Sequence, residues 1–379
     1  MVEFQLNIFS IIYLFGTLQG LILAGIFLFS QTFSKKSNGY MASMLIVFMA
    51  LNLLGVFEEA RLFSKYPALE FLPIVWYGII PPATYFFVQY LTAPAYKFPR
   101  WGYYLFIPFI VQFIFQSSEF ILFLLGKINL TEYLPVHYVI ENTFETVSAF
   151  YALIVSVVIL KTLFRYEKSL YNDFAEINDK SLRWLSHTLL GGLVLIFVWF
   201  IVAFSDYFQN SYVQMMSRFL MIGLSVLIYW IGYSMLMRRE LFVRENIMDE
   251  IIPVSPTEET TKLSDRADDH YRKLIAVMEE NHLYRNPDIN MSILSEKIGL
   301  SKGYLSQIIN NKEHKNFFDF INTYRVEEVK QKMANAEFAH FNILGLAMDA
   351  GFKSKSTFNA VFKKMTGQTP SQYRRDLKQ

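Results

Sequence analysis

"GLAMDAGFKSKSTFNAVFKKM", residues 345–365, echoes an earlier stretch of the same chain, "ILSEKIGLSKGYLSQIINNK", residues 293–312. In each copy a leucine (Leu294, Leu346) stands five residues before a glycine (Gly299, Gly351), and an apolar residue follows (Leu300, Phe352). A serine (Ser301, Ser354) then precedes a lysine (Lys302, Lys355), with an apolar residue four past the serine (Leu305, Phe358). The second copy carries one extra residue, Lys353. Glycine ends one helix and permits a sharp turn; serine accepts hydrogen bonds from the free N–H groups that open the next. The pattern predicts two helix-turn-helix units.

In these units Leu305 and Ile308, or Phe358, Val361 and Phe362, are expected to turn inward. The remaining face carries Lys302, Gly303, Ser306, Gln307 and Asn310 in one copy, and Lys355, Ser356, Asn359, Ala360 and Lys363 in the other. Lysine, glutamine, asparagine and serine suit base edges and phosphates in a major groove. For one copy alone, a merely solvated polar face is an equal reading; the repeat tips the balance. Between the copies, Asn316 to Ala336 predicts a helix of ~30 Å, near the ~34 Å of one B-DNA turn. Two reading helices would then address successive major grooves on one DNA face. Lys312, Lys315, Lys363, Lys364, Arg374 and Arg375 are the phosphate candidates.

These residues resemble the AraC/XylS-type transcriptional regulators, over about Tyr271 to Leu377. "AGFKSKSTFNAVFKKMTGQTPSQYR" is similar to the family signature of GF, a helix ending in FKK, and G-x-T-P-x-x-YR. "LSKGYLSQII" and the Arg325-x-x-x-Val329 helix resemble its first half. Ile309, Val329 and Ser295 depart from the family's usual Phe, Ala and Ala, which touches packing rather than function. The resemblance implies that the helices beginning at Lys302 and Lys355 read DNA. Gly303 and Ala360 fall at reading positions but have little to read with. An oily stretch stands where many family members carry a soluble sugar-binding module.

That oily stretch fills the first two-thirds of the 379 residues, which are 53% hydrophobic with 37 Phe and 23 Tyr. The net charge of +2 hides a switch from sparse to dense charge after Arg238. About seven apolar runs approach the length of a membrane span: near 8–29, 40–57, 71–91, 103–125, 143–164, 185–204 and 215–235. Buried core helices of a large soluble protein are the weaker alternative, because so few charges separate so many runs. The first run has no preceding basic residue and is too long for a cleaved signal. Lys35, Lys36, Lys97, Arg100, Arg165, Lys168, Lys180, Arg183, Arg238 and Arg239 fall in alternate loops. They orient the N-terminus outside and the C-terminal region in the cytoplasm. Trp101, Tyr103 and Trp184 suit an aromatic belt.

The outer half gathers acids, and Glu119, Glu145 and His137 are the ligand-sensing candidates. Ionisable groups at membrane depth suggest a ligand or cation pocket; solvated residues in the headgroup region are the plainer reading. Pro81-Pro82 should kink or break the third run, and Gly191-Gly192 would admit close helix packing. The chain has no cysteine, hence no disulfide or thiolate metal site. With no catalytic motif either, neither an enzyme, a cofactor nor a metal set is expected. After the last run, residues 238–269 read as a juxtamembrane helix, pairing with a second copy or lying on the membrane, and then an acidic linker punctuated by Pro253 and Pro256.

The predicted architecture is all-α: a roughly seven-helix transmembrane bundle (1–237), the connector (238–269) and a cytoplasmic AraC-type domain (270–379). That domain comprises helix-turn-helix units at 291–312 and 343–366 joined by a long helix, 316–336. The expected protein is a transcription factor of a bacterial inner membrane. Its expected partners are double-stranded promoter DNA, the lipid bilayer, RNA polymerase, a second copy and an unknown small-molecule or membrane signal. Two alternatives stand beside it. One is a transporter or lipid-handling protein with an autoregulatory DNA-binding domain. The other is a regulator released by proteolysis near Pro253–Asp269.

Overall fold

The structure, a computed structural model, describes residues 7–29, 35–74, 76–93, 96–177, 181–206, 212–236 and 267–377. Most of the connector, 237–266, lies outside the described residues, so the juxtamembrane expectation falls there. The chain divides into two compact units: Met1–Phe164 with Leu182–Ile251, and Arg165–Ser181 with Ile252–Gln379. One crossover near residue 237 was expected; the chain passes between the units three times.

The first unit contains α1 (Ile8–Phe29), α2 (Lys35–Glu59), α3 (Leu62–Lys65), α4 (Ile80–Thr92), α5 (Ile107–Leu124), α6 (Leu130–Asp173, shared with the second unit), α7 (Arg183–Asp206) and α8 (Val213–Leu236). Six helical stretches among the described residues are long and apolar enough to cross a membrane: Ile8–Phe29, Lys36–Glu59, Arg100–Leu124, Glu132–Asp173, Arg183–Asp206 and Val213–Ser234. The run 71–91 does not join them. It breaks into a 3-10 turn at Pro67–Phe71, another at Tyr77–Ile79, and α4 of only 13 residues, a rise of ~20 Å. Pro81 and Pro82 set that start, because proline is tolerated in a helix's first turn and breaks its interior.

Helix α1 packs on α2 and α8, α2 on α4, and α7 on α8. One close crossing is at Gly16, where an added Cβ would stand 2.7 Å from the Ser225 hydroxyl; Ser225 in turn donates to Asn52 Oδ1 at 2.7 Å. Gly191 and Gly192 are not at such a crossing, since a Cβ there would meet nothing within 4 Å. Trp101 and Tyr103 are exposed, whereas Trp184 is buried. Helix α5 is inside out by the standards of water. Gln112, Gln116 and Glu119 are 1%, 4% and 2% exposed, while Ile110, Val111, Ile114 and Leu124 face outward. Soluble helices bury the opposite set.

The second unit holds α9 (Ala267–Glu280), α10 (Met291–Ile298), α11 (Lys302–Glu313), α12 (Phe317–Ala334), α13 (Ile343–Asp349), α14 (Lys355–Thr366) and α15 (Pro370–Asp376). Leu274, Met278, Leu294, Leu305, Ile308, Phe317 and Ile321 form its first core. A chain of rings, Phe352–Phe358–Phe362–Tyr373, with centroids 5.2, 5.5 and 5.4 Å apart, seats α14 and α15. Ala175, fully buried, joins the first core from the segment between α6 and α7.

Candidate nucleic-acid interface

Each helix-turn-helix is set by its caps. Asn290 accepts from the Ile293 N–H at 3.0 Å to open α10. Gly299, at φ 79°, closes it, with the Gly299 and Leu300 N–H groups on Ser295 O at 2.8 and 3.0 Å. Ser301 accepts from the Tyr304 N–H to open α11, and Ser354 from the Thr357 N–H, at 3.1 Å, to open α14. Gly351, at φ 100°, turns between α13 and α14. A side chain there would strike the Tyr284 carbonyl oxygen, 2.7 Å from an added Cβ.

Leu305, Ile308 and Ile309 are buried under α11, and Phe358, Val361 and Phe362 under α14. On the opposite faces Gly303, Gln307 and Asn310 are exposed and Lys302 and Ser306 half-buried; Lys355, Ser356, Asn359, Ala360 and Lys363 are all exposed. The phosphate candidates differ among themselves. Lys312 pairs with Asp268, Lys315 with Glu313 at 3.3 Å and Lys364 with Asp319 at 2.7 Å. Surface pairs of this kind are weak and exchangeable for phosphate. Arg374 instead donates to the carbonyls of Phe341 and Ala339 at 2.7 and 2.6 Å, which braces α15 against the segment preceding α13. Lys363 and Arg375 are exposed.

Arg325, fully buried on α12, ties the two halves. Its guanidinium donates to Tyr284 O at 2.8 Å and Asn286 O at 2.9 Å, and lies 5.6 Å from the Phe352 ring. Burial pushes its pKa down to about 10, with Glu176 pulling the other way, so the side chain stays charged at neutral pH. Residues 171–177 enter the same region. Tyr171 meets the Phe318 ring edge-on at 5.2 Å, and Phe174 forms an isolated antiparallel bridge with Asn290, the cap of α10. Asn322, fully buried, donates to Ala175 O at 2.9 Å. Glu176 accepts from the Thr357 hydroxyl in the first turn of α14. One short segment thus touches the first helix-turn-helix, the joining helix α12 and the first turn of α14. Sequence reasoning missed Ala175, Glu176 and Asn322 as a group. The partners lie 147 and 181 residues apart, and no periodicity connects them.

In the other unit the sensing candidates separate. His137 Nδ1 lies 3.3 and 3.2 Å from the two Glu119 oxygens. Glu145 instead accepts from Trp199 Nε1 at 2.5 Å and lines an apolar cavity with Tyr77, Phe87, Leu185 and Leu224. Glu141, one turn before Glu145, joins Glu119 and His137; its spacing of four from His137 was the overlooked signal.

A family profile described as a helix-turn-helix domain matches residues 294–376. An uncharacterised HTH-type transcriptional regulator of Staphylococcus aureus (strain COL) is 34% identical over 104 residues, 27% of this chain and 14% of that protein. The chain therefore spans about one-seventh of the staphylococcal relative's length. The regulatory protein SoxS of Escherichia coli (strain K12) is 33% identical over 104 residues, 27% of this chain and 92% of SoxS. No solved structure matches the chain. With SoxS matched over nearly its whole length by the region that carries both helix-turn-helix units, the chain belongs, through that region, to the AraC-type helix-turn-helix regulators.

Proposed function

We propose that this chain is a membrane-anchored bacterial transcription factor whose apolar unit controls sequence-specific promoter binding by the tandem helix-turn-helix unit. The observation that carries the reading is the segment Arg165–Ser181. It comprises the last turns of α6 and the stretch leading toward α7, two helices of membrane-crossing character, yet its residues Ala175, Glu176 and Ile177 are buried in the helix-turn-helix unit. A change in how α6 and α7 pack would pull directly on Ala175 and Glu176, and through them on α12 and the first turn of α14. The inverted burial of α5 supports an apolar surrounding for the first unit. The basic loops support an outside N-terminus and cytoplasmic reading helices at an inner membrane.

In this reading Lys302, Gly303, Ser306, Gln307 and Asn310, then Lys355, Ser356, Asn359 and Ala360, face base edges. Lys312, Lys315, Lys363, Lys364 and Arg375 meet phosphate, with Arg374 mainly bracing. RNA polymerase and a second copy are the further partners, and the reaction is binding alone. The domain limits follow as 1–237, 238–269 and 270–379, with 165–181 lent to the last. The apolar cavity beside Glu145 favours one competing reading, a lipid-handling bundle with an autoregulatory DNA-binding domain. Genome-wide mapping of sites occupied by the full chain in cells tests the proposal. Discrete sites sharing one motif are expected, lost in a Lys355→Glu/Asn359→Ala double variant that still reaches the membrane fraction. Occupancy indistinguishable from random DNA would overturn it.

A further inference from the structure

Helix α5 turns Gln112, Gln116 and Glu119 inward, and α6 presents Tyr133, His137 and Glu141 along one face at successive intervals of four. Where the two faces meet, one ligand atom each from Glu119, His137 and Glu141 lie within 4.8 Å of one another. Two carboxylates and an imidazole, with Glu119 and His137 buried and Glu141 half-buried, hold more negative charge than a single imidazolium offsets. Among the described residues no lysine or arginine pairs with either carboxylate. Such a cluster is costly without a cation.

A second observation points the same way. Gln116, 4% exposed, donates through Nε2 to both Glu141 oxygens at 3.1 Å, while its Oε1 is buried without a partner. Rotating the amide would set that oxygen against two carboxylate oxygens, so the orientation is fixed by charge. The amide oxygen and nitrogen are ~2.2 Å apart by standard amide geometry, so the unpartnered acceptor belongs to the same amide that touches Glu141. Gln112, one turn before, also has a buried amide with neither atom partnered. The surrounding groups orient the cluster. The Tyr133 hydroxyl donates to Glu119 Oε1 at 2.5 Å, and the Phe71 ring lies 4.9 Å from the His137 ring.

The geometry points to a divalent transition-metal site formed by Glu119, His137 and Glu141, with the Gln116 amide oxygen as a fourth ligand. Ligand atoms around a tetrahedral zinc ion are ~3.4 Å apart, for bonds of ~2.1 Å, so ligand atoms lying within 4.8 Å of one another would close by up to ~1.4 Å around the ion. One imidazole nitrogen with oxygen donors selects zinc or a neighbouring first-row ion over calcium and magnesium, whose sites are all oxygen. The Tyr133 hydroxyl holds the Glu119 carboxylate in place, as outer groups do at metal sites. The site gives the sensing reading its ligand, and in that respect rests on it.

The test uses the full chain in nanodiscs, purified through a tag without histidines and stripped with chelator. Zinc binding is followed by calorimetry and by metal content after dialysis. One zinc per chain is expected, uncompeted by excess calcium. His137→Ala and Glu119→Gln should weaken binding at least 100-fold, and Tyr133→Phe, which leaves all ligands in place, by ~10–100-fold. Thermal unfolding of each variant reports whether the fold survives. Absence of stoichiometric zinc in the native chain, or binding unchanged in His137→Ala and Glu119→Gln, overturns the site. DNA binding is measured on the same preparation without zinc, so loss of the metal site and loss of the regulator reading are separate results.

Discussion

Gly351 and Gly367 share a left-handed backbone, at φ 100° and 77°, in different surroundings. At Gly367 an added Cβ meets nothing within 4 Å; at Gly351 it stands 2.7 Å from Tyr284 O and 2.8 Å from Arg285 O. Gly367→Ala should therefore cost about 1 kcal/mol from backbone strain, and Gly351→Ala clearly more, read as thermal unfolding of the full chain. A smaller cost at Gly351 would contradict the close turn. The reading faces permit a second contrast. Gln307→Ala should relax preference at one base pair by about 1–3 kcal/mol. Lys363→Glu, at an exposed phosphate position, should instead weaken binding to every sequence and flatten its salt dependence. Binding titrations across salt concentrations on matched and mismatched sites separate the two. Caps and inward apolar residues were legible because each depends on neighbours a few positions away. Arg325 was legible only as part of a helix pattern, because its carbonyl partners lie in a loop 39–41 residues earlier.

Among elements, α12 makes several of the unit's long-range bonds. Asn322→Ala removes the donor to Ala175 O and leaves a buried carbonyl unsatisfied, a loss of about 1–3 kcal/mol. The melting temperature of the helix-turn-helix unit should fall accordingly, and an unchanged value would mean that the 174–177 segment is not part of its core in solution. On the same helix, burial alone would raise the pKa of Glu328, but Arg285, at 2.9 Å, and Lys332, at 2.6 Å, hold it below the usual carboxylate range. Its stabilising contribution is complete above the unfolded value of ~4.3 and disappears as pH falls through the lower folded value. Glu328→Gln should lower stability at neutral pH and make unfolding less steep with acid below pH ~4, as followed by circular dichroism. Helices α10 to α15 could be read from sequence because caps and apolar spacing bound them. The 71–91 run was read as a span that Pro81-Pro82 would kink or break; hydropathy did not reveal that the two prolines open a helix of only 13 residues.

At the scale of the whole molecule, composition was enough to separate an oily unit from a charged one, because burial needs differ so strongly between them. It was silent on residues 174–177, just beyond α6, which acquire their role only from partners far along the chain. The same distance hid the Glu119–His137–Glu141 cluster, whose members sit on two helices and meet only when α5 packs on α6.

The loan of residues 174–177 bears on the idea of regulation by cutting. A protease acting between residues 237 and 266 would sever the backbone but leave Ala175 and Glu176 behind on the other piece. The severed helix-turn-helix piece would either remain clasped, noncovalently, by the loop it folded around, or depart with a hole beside Asn322 and the Thr357 hydroxyl parted from Glu176. Cleavage at an engineered site replacing Pro253–Pro256 should therefore leave the fragment in the membrane fraction until denaturant loosens it. A soluble, fully DNA-competent fragment would show the clasp to be dispensable. Nor is such a regulator a cassette: a transplant of residues 267–377 onto another anchor would arrive missing part of its own interior.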